Sequence, residues 1–110
     1  MDTFTVSLSI QEAISILNER IVSGSITGIC IDKYTVSAPS GGICTVLVYE
    51  KHYYRAGNRL TLTVTIDNFM GETRVHSISG GGGEGLFRFD WGASKSFANA
   101  VYDSLSQYMI

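Results

Sequence analysis

The sequence predicts an α+β fold, in which a twisted antiparallel sheet carries two helices on one face. Several short segments alternate apolar and polar residues with a period of two, as half-buried strands do. Two other segments repeat their apolar residues at intervals of three and four, which is typical of amphipathic helices. Short turn segments join the strands, so the predicted order is β-α-β-β-β-β-α. Each helix must bury its apolar stripe, which places both on the same face of one domain, 1–110.

The first strand and the first helix are predicted from the N-terminal residues. Phe4, Val6 and Leu8 alternate with Thr and Ser, which indicates a strand. Ser9 followed by Glu12 is a capping box, so a helix begins there. Its apolar stripe is Ile10, Ala13, Ile14, Leu17 and Ile21. We expect Gly24 to end this helix in the left-handed conformation.

Four strands follow as a meander. They are predicted at Ile26 to Ser37, Ile43 to Arg55, Leu60 to Ile66, and Glu72 to Ser79. The connecting turns are predicted at residues 38–42, 57–58 and 68–71, where Pro, Gly and Asn concentrate. The third of these strands alternates most regularly, with Leu, Val and Ile on one face and Thr on the other.

A glycine run separates the meander from the last helix. A further short strand is possible at Leu86 to Phe89, and Asp90 or Ser94 is a candidate cap for the helix. The predicted apolar face of that helix is Phe97, Ala98, Val101, Leu105 and Met109.

Composition argues against several classes of partner and location. The net charge is −2, and the eight Lys and Arg form no basic stripe, so we expect neither nucleic-acid nor membrane binding. No run approaches the roughly 18 apolar residues of a membrane span, and no secretory signal is present, so a cytoplasmic location is expected. Cys30 is expected opposite position 49 or 50 and Cys44 opposite 35 or 36. This spacing predicts two reduced, buried thiols and no disulfide.

The sequence gives little support to cofactor, metal or catalytic chemistry. Gly80, Gly82 and Gly85 match the letters of a dinucleotide-binding loop, but an extended segment follows where a helix is needed, so no cofactor is expected. His52 is predicted opposite Thr63 and His76 opposite Val64, on opposite faces of the sheet. That placement predicts no metal site and no catalytic residue, and a register shift of one residue is the alternative that would let the two imidazoles converge.

The segment before the last helix is the candidate ligand site. Its aromatic and acidic residues and the adjoining loop suit a pocket wall with a movable lip, and the predicted ligand-binding residues are Phe87, Phe89, Asp90, Trp91, Gly82 and Gly83. The alternative for Trp91 is a lid on the core. The predicted ligand is a small apolar or amphipathic molecule held between the C-terminal helix and the sheet, or else a partner protein.

The glycine run followed by Phe-Asp-Trp-Gly at 89–92, with an amphipathic terminal helix after it, resembles a domain-of-unknown-function family. That family consists of small bacterial proteins of about this length, mostly from Gram-positive organisms. The resemblance implies a single-domain cytoplasmic protein and carries over no catalytic residues. At the level of fold alone, the predicted element order is similar to the TATA-binding-protein-like and helix-grip arrangements, and this similarity implies no function.

Two alternative functions remain. The long second strand of the meander is apolar on both faces, with Ile43, Leu47, Tyr49 and Tyr53 on one and Val46, Val48 and Tyr54 on the other. A homodimer that covers the open sheet face would explain this, and a charge at Thr63 should then weaken it. The other alternative is an enzyme that uses His52 or His76 with Asp90.

Overall fold

The computed structural model describes residues 2–24, 27–53, 58–81 and 97–110, apart from the side chains of residues 53 and 58. It has the predicted α+β class. The elements are β1 (Thr3–Val6), α1 (Ile10–Leu17), β2 (Ile29–Ser37), β3 (Ile43–Tyr53), β4 (Asn58–Asp67), β5 (Thr73–Gly81) and α2 (Ala100–Leu105). The possible strand at Leu86 to Phe89 and the helix caps at Asp90 or Ser94 lie outside the described residues.

The strands form one antiparallel sheet in the order β1-β5-β4-β3-β2. Two of the predicted turns are confirmed. The Ala38 amide donates to the Gly42 carbonyl at 2.7 Å, and the Gly71 amide donates to the Asn68 carbonyl at 3.1 Å. Gly41 and Gly71 have φ values of 101° and 91°, a conformation that glycine adopts without a Cβ clash.

The core lies between one face of the sheet and the two helices. All four apolar residues predicted for β4 are buried, and they pack with the apolar stripes of α1 and α2. Cross-strand partners such as Leu47 and Val64, or Ile66 and Val75, share this face. Below, this side of the sheet is called the helix face, and the other side is called the open face.

The capping box at the start of α1 is confirmed. The Glu12 amide donates to Ser9 Oγ at 3.1 Å, and the Ser9 amide donates to Glu12 Oε1 at 2.9 Å. These hydrogen bonds lower the pKa of the Glu12 carboxyl, because they favour its charged form.

The prediction for the end of α1 was wrong in its mechanism. The helix continues as a π-helical turn, Asn18–Ser23, and Gly24 has a φ of −87°, outside the left-handed region. The Gly24 amide donates to the Glu19 carbonyl at 2.8 Å, five residues back, so the wider turn ends the helix without a left-handed residue. A Cβ on Gly24 would lie 3.2 Å from the carbonyl oxygens of Glu19 and Arg20, which explains the preference for glycine by close approach.

The C-terminus also departs from prediction. Phe97, Val101 and Leu105 are buried as expected, but Met109 does not continue the helical stripe. A 3-10 turn, Ser106–Tyr108, follows α2, and Met109 then forms an antiparallel bridge with Val6. The last residues therefore run beside β1, where the Ser7 amide donates to the Tyr108 carbonyl at 2.9 Å.

No helix in the described ranges is both long enough and apolar enough to cross a membrane. Both cysteines are free, and Cys30 lies opposite Tyr49 and Cys44 opposite Val36, as predicted. The expected burial of both thiols was wrong for Cys30, which is exposed because it lies on an edge strand that the helices do not cover.

Candidate functional site

The predicted ligand-binding residues lie outside the described part of the chain. Phe87, Phe89, Asp90 and Trp91 fall there, together with Gly82 and Gly83 of the proposed lip. Their placement at a ligand site therefore stays a prediction. The segments on either side of them, β5 and the residues leading into α2, are described and bound a groove.

This groove has a volume of about 460 Å³ and lies where the start of the C-terminal helical segment faces the end of β5. Its described lining consists of Asp2, Ser77, Ser79, Ile78, Ala98 and Asn99. It lies between β5 and the C-terminal helical segment, whereas the residues that the sequence assigns to a ligand site lie outside the described part of the chain. The size is within the range of about 300–1,000 Å³ that is usual for small-molecule sites. Four of the six described lining residues are polar, whereas the sequence predicts an apolar or amphipathic ligand.

Ser77 is the most unusual residue of the groove. It belongs to the helix face, since Val75 precedes it on that face and Val64 lies directly across from it on β4. It is only 6% exposed, yet its hydroxyl has no hydrogen-bond partner among the described residues. By contrast, the buried Ser104 hydroxyl donates to the Ala100 carbonyl at 2.6 Å. A buried hydroxyl without a partner costs free energy, so Ser77 calls for an explanation beyond packing.

The next residue, Ile78, makes the anomaly larger. Ile78 lies on the open face and is 63% exposed, whereas its polar neighbour is buried. Residues 77 and 78 therefore reverse the usual arrangement of a half-buried strand. Sequence analysis missed this site, because the alternation along β5 is weak and isoleucine is ordinarily assigned to the core. The pattern Val75-His-Ser-Ile-Ser79 was the available clue, since continuing from Val75 places serines inward.

A second candidate surface is the edge strand β2. All nine of its residues are exposed, and within the described structure β2 has a neighbouring strand on one side only. Four of its side chains are large, apolar and 43–61% exposed: Ile29, Ile31, Tyr34 and Val36. The register with β3 is interrupted by an irregularity between Cys30 and Asp32 and is regular from there to Ser37.

The open face has two chemically different halves. Near β2 it is apolar, since Tyr34 lies across from the half-buried Val46 and Asp32 from the half-buried Val48. On β4 it carries Thr61, Thr63 and Thr65, all half-buried. The apolar character predicted for both sides of β3 is thus present among its described side chains, and its open-face part adjoins the edge strand. The side chain of Tyr53 and the whole of Tyr54, which belong to the same prediction, lie outside the described part of the chain.

The histidine registers differ from prediction. His52 lies opposite Arg59 instead of Thr63, and His76 lies opposite Thr65 instead of Val64. Both histidines are therefore on the open face, contrary to the predicted opposite faces. They are still far apart, because six residues of β4 separate their partners, about 20 Å at 3.4 Å per residue. His76 Nδ1 is 2.7 Å from Thr3 Oγ1, and within the described ranges no group of three or more His, Cys, Asp or Glu is placed to hold a metal ion.

An ion pair lies on the open face beside the turn between β4 and β5. Arg74 Nε and Nη2 donate to the two carboxylate oxygens of Asp67 at 3.0 and 3.1 Å, and the Phe69 amide donates to the same carboxylate. Cys44 lies across from Asp67 on β3. Partial burial and the nearby carboxylate raise the pKa of the Cys44 thiol, although Arg74 opposes this. These hydrogen bonds hold the end of β4 and the start of β5 together at the turn between them, so we interpret this corner of the open face as structural.

Comparison with known proteins gives a family and no activity. Among the curated proteins and the solved structures, neither search finds a match. The model of a family of unknown function, DUF6054, matches residues 1–109, which agrees with the resemblance drawn from the glycine run and the Phe-Asp-Trp-Gly motif. The match extends over nearly the whole sequence, and the chain therefore belongs to this family of unknown function, DUF6054.

Proposed function

We propose that this protein is a binding module and that its partner is a second copy of itself, paired through the edge strand β2. The observation that carries the proposal is that all nine residues of an edge strand are exposed, and that four of them have large apolar side chains. Exposed apolar edges promote pairing with another chain, and soluble proteins usually protect them with charges, prolines or a cover. The similarity to the TATA-binding-protein-like arrangement that the element order suggests stays an analogy at the level of fold and adds no function.

The charges on β2 limit how two copies can pair. In a symmetric antiparallel pair, each residue keeps its face of the sheet, so the two-fold axis passes through one residue position. An axis at Asp32 or Lys33 would place like charges directly opposite each other, which is unfavourable. An axis at Thr35 avoids this and centres the pairing on Lys33–Ser37, within the regular stretch that follows the irregularity. It also places Tyr34 opposite the partner's Val36, a favourable aromatic and β-branched pair.

The irregularity at Cys30 and Asp32 also limits the strength of the pair. Strand irregularities at a sheet edge interrupt pairing, so the first part of β2 should contribute little backbone hydrogen bonding. Five paired residues on each copy form a small interface, and such interfaces give weak or transient association. We therefore expect a dimer with a dissociation constant of about micromolar order.

The test is the mass in solution over a dilution series. Light scattering coupled to gel filtration should give twice 12.0 kDa at high concentration and 12.0 kDa on dilution. Val36→Lys, on the open face of β2, should shift the equilibrium to the monomer because the charge is desolvated on pairing. Thr63→Lys is the matched control, since it lies on the same face in mid-sheet and should leave edge pairing intact. If Thr63→Lys dissociates the dimer and Val36→Lys does not, the open face and not the edge is the interface.

A cysteine cross-link tests the register. In a Cys30→Ser, Cys44→Ser background, Thr35→Cys should form a disulfide between copies, because directly paired Cα atoms are about 4.5–5.5 Å apart. Ser37→Cys is the control. Its two copies would lie about 14 Å apart along the strands, four residues at 3.4 Å each, and should not cross-link. A protein that stays monomeric throughout the dilution series and forms neither cross-link would refute the proposal.

A further inference from the structure

Beyond self-association, we infer that the groove between β5 and the start of the C-terminal helical segment binds a small polyhydroxylated amine. The lining supplies one carboxylate from Asp2, two hydroxyls from Ser77 and Ser79, and the side-chain amide of Asn99. The first three lie on one face: the Ser77 amide donates to the Asp2 carbonyl at 2.8 Å, and Ser77 and Ser79 are alternate residues of β5. Their side chains therefore project toward the same space.

The polar side chains of this groove make few hydrogen bonds within the described part of the chain. The buried Ser77 hydroxyl has no partner among the described residues, and the Ser79 hydroxyl has none in the same ranges. Asn99 occupies the N-cap of α2 but makes no side-chain capping hydrogen bond. Within the described ranges, the Asp2 carboxylate accepts one long hydrogen bond, from Thr3 Oγ1 at 3.4 Å. Hydrogen-bonding groups of these kinds, left open at a concave surface, are what a polar ligand requires.

Thr73 shows which part of this pattern is specific to the groove. It is also buried on the helix face of β5 with no side-chain partner among the described residues, but it does not line the groove. The fold can therefore tolerate a buried hydroxyl that has no partner in the described ranges. The inference depends on Ser77, further along β5. Its buried hydroxyl has no partner among the described residues and faces a groove that three more polar side chains line.

The chemistry of the lining selects the class of ligand. A carboxylate accepts hydrogen bonds and attracts a cation, while serine and asparagine side chains both donate and accept. The charged group in the described lining is the Asp2 carboxylate, which attracts a cationic ligand and repels an anionic one. Ser77 and Ser79 are about 7 Å apart along the strand, a spacing that vicinal hydroxyls on a small ring or chain can span. A protonated amine near Asp2 and hydroxyls near the two serines and Asn99 provide a partner for each of the four polar groups.

Three probes of similar size but different charge test this directly. Calorimetric titration should show saturable binding of D-glucosamine in its protonated form, weaker binding of D-glucose, and none of D-gluconate. No affinity tag should be attached next to Asp2, because Asp2 is part of the groove. Asp2→Asn should abolish the preference for glucosamine over glucose, since it removes the charge and keeps the shape.

The serine contact is tested by a matched pair of variants on β5. Ser77→Ala should weaken glucosamine binding by about two- to tenfold, the equivalent of one hydrogen bond of about 0.5–1.5 kcal/mol. Thr73→Val removes a comparable buried hydroxyl away from the groove and should leave binding unchanged. The inference is overturned if none of the three probes saturates, if gluconate binds as well as glucosamine, or if both β5 variants change binding equally.

Discussion

Replacing Ser77 by alanine should make the protein more stable. Most buried polar substitutions destabilise a fold because they break hydrogen bonds, but the Ser77 hydroxyl has no bond to break among the described residues. Alanine removes the hydroxyl and leaves no significant cavity, since the two side chains differ by one oxygen atom. The same reasoning applies to Thr73→Val, which keeps the branched shape of the side chain at the other end of β5.

The magnitude follows from the cost of burying an unpaired hydroxyl. Protein mutational data place that cost at about 1–3 kcal/mol. Because the groove lets water approach Ser77, the lower end applies, and we expect Ser77→Ala to raise the free energy of unfolding by about 1 kcal/mol. For a domain of this size that corresponds to an increase in Tm of about 4 °C. Thr73→Val should give at least this increase, since Thr73 is buried to nearly the same degree and does not line the groove.

Thermal unfolding followed by circular dichroism measures both variants, with urea unfolding as a second estimate. A stabilised Ser77→Ala that also binds glucosamine more weakly would show that the wild-type residue lowers stability in exchange for binding. If Ser77→Ala instead lowers the Tm by several degrees while Thr73→Val raises it, the Ser77 hydroxyl has a structural partner. The groove would then lose its strongest argument.

Two further predictions concern the Asp67–Arg74 ion pair and the reactivity of the two cysteines. Arg74→Met should lower the free energy of unfolding by about 2 kcal/mol and Asp67→Asn by about 1 kcal/mol in urea unfolding. The difference arises because the Asp67 side chain is 8% exposed and keeps an unpaired charge, whereas Arg74 is 40% exposed and can turn to water. Equal losses would mean that the carboxylate is better hydrated than its burial indicates. Iodoacetamide should modify Cys30 faster than Cys44 in a time course followed by peptide mass spectrometry, because Cys44 is half-buried and its raised pKa leaves less thiolate at a given pH. Faster modification of Cys44 would contradict this.

The sequence was sufficient where a local pattern determines structure. The alternation of β4 identified a core face whose four apolar residues are all buried, and Ser9 with Glu12 marked the start of α1. Such features depend on residues within a few positions of one another. The π-helical end of α1 was not predicted, because it depends on a choice between carbonyl partners that no side-chain pattern encodes.

The pairing registers of the strands show which features a local sequence pattern does not determine. Pairing His52 with Arg59 instead of Thr63 is a shift of four residues, an even number, so the faces of β3 and β4 were still assigned correctly. Pairing His76 with Thr65 instead of Val64 is a shift of one residue, which moves every side chain to the other face relative to the neighbouring strand. That single-residue shift reversed the predicted relation of the two histidines. Turn geometry sets these shifts, and the period-two pattern of a strand does not specify it.

The reversed burial of Ser77 and Ile78 connects these considerations to function. Full burial of an isoleucine side chain is worth about 1.5–3 kcal/mol, so an isoleucine 63% exposed forgoes about 1–2 kcal/mol. The buried serine, whose hydroxyl has no partner among the described residues, adds about 1 kcal/mol. These amounts are large beside a typical stability of about 5–15 kcal/mol. Natural sequences tend to depart from the best packing arrangement at functional sites, which favours the end of β5 as the place to seek a ligand. β5 is three strand spacings from β2, about 14 Å, so pairing of two copies along β2 would leave the groove open. Self-association and ligand binding are therefore separable, and either can fail without weakening the argument for the other.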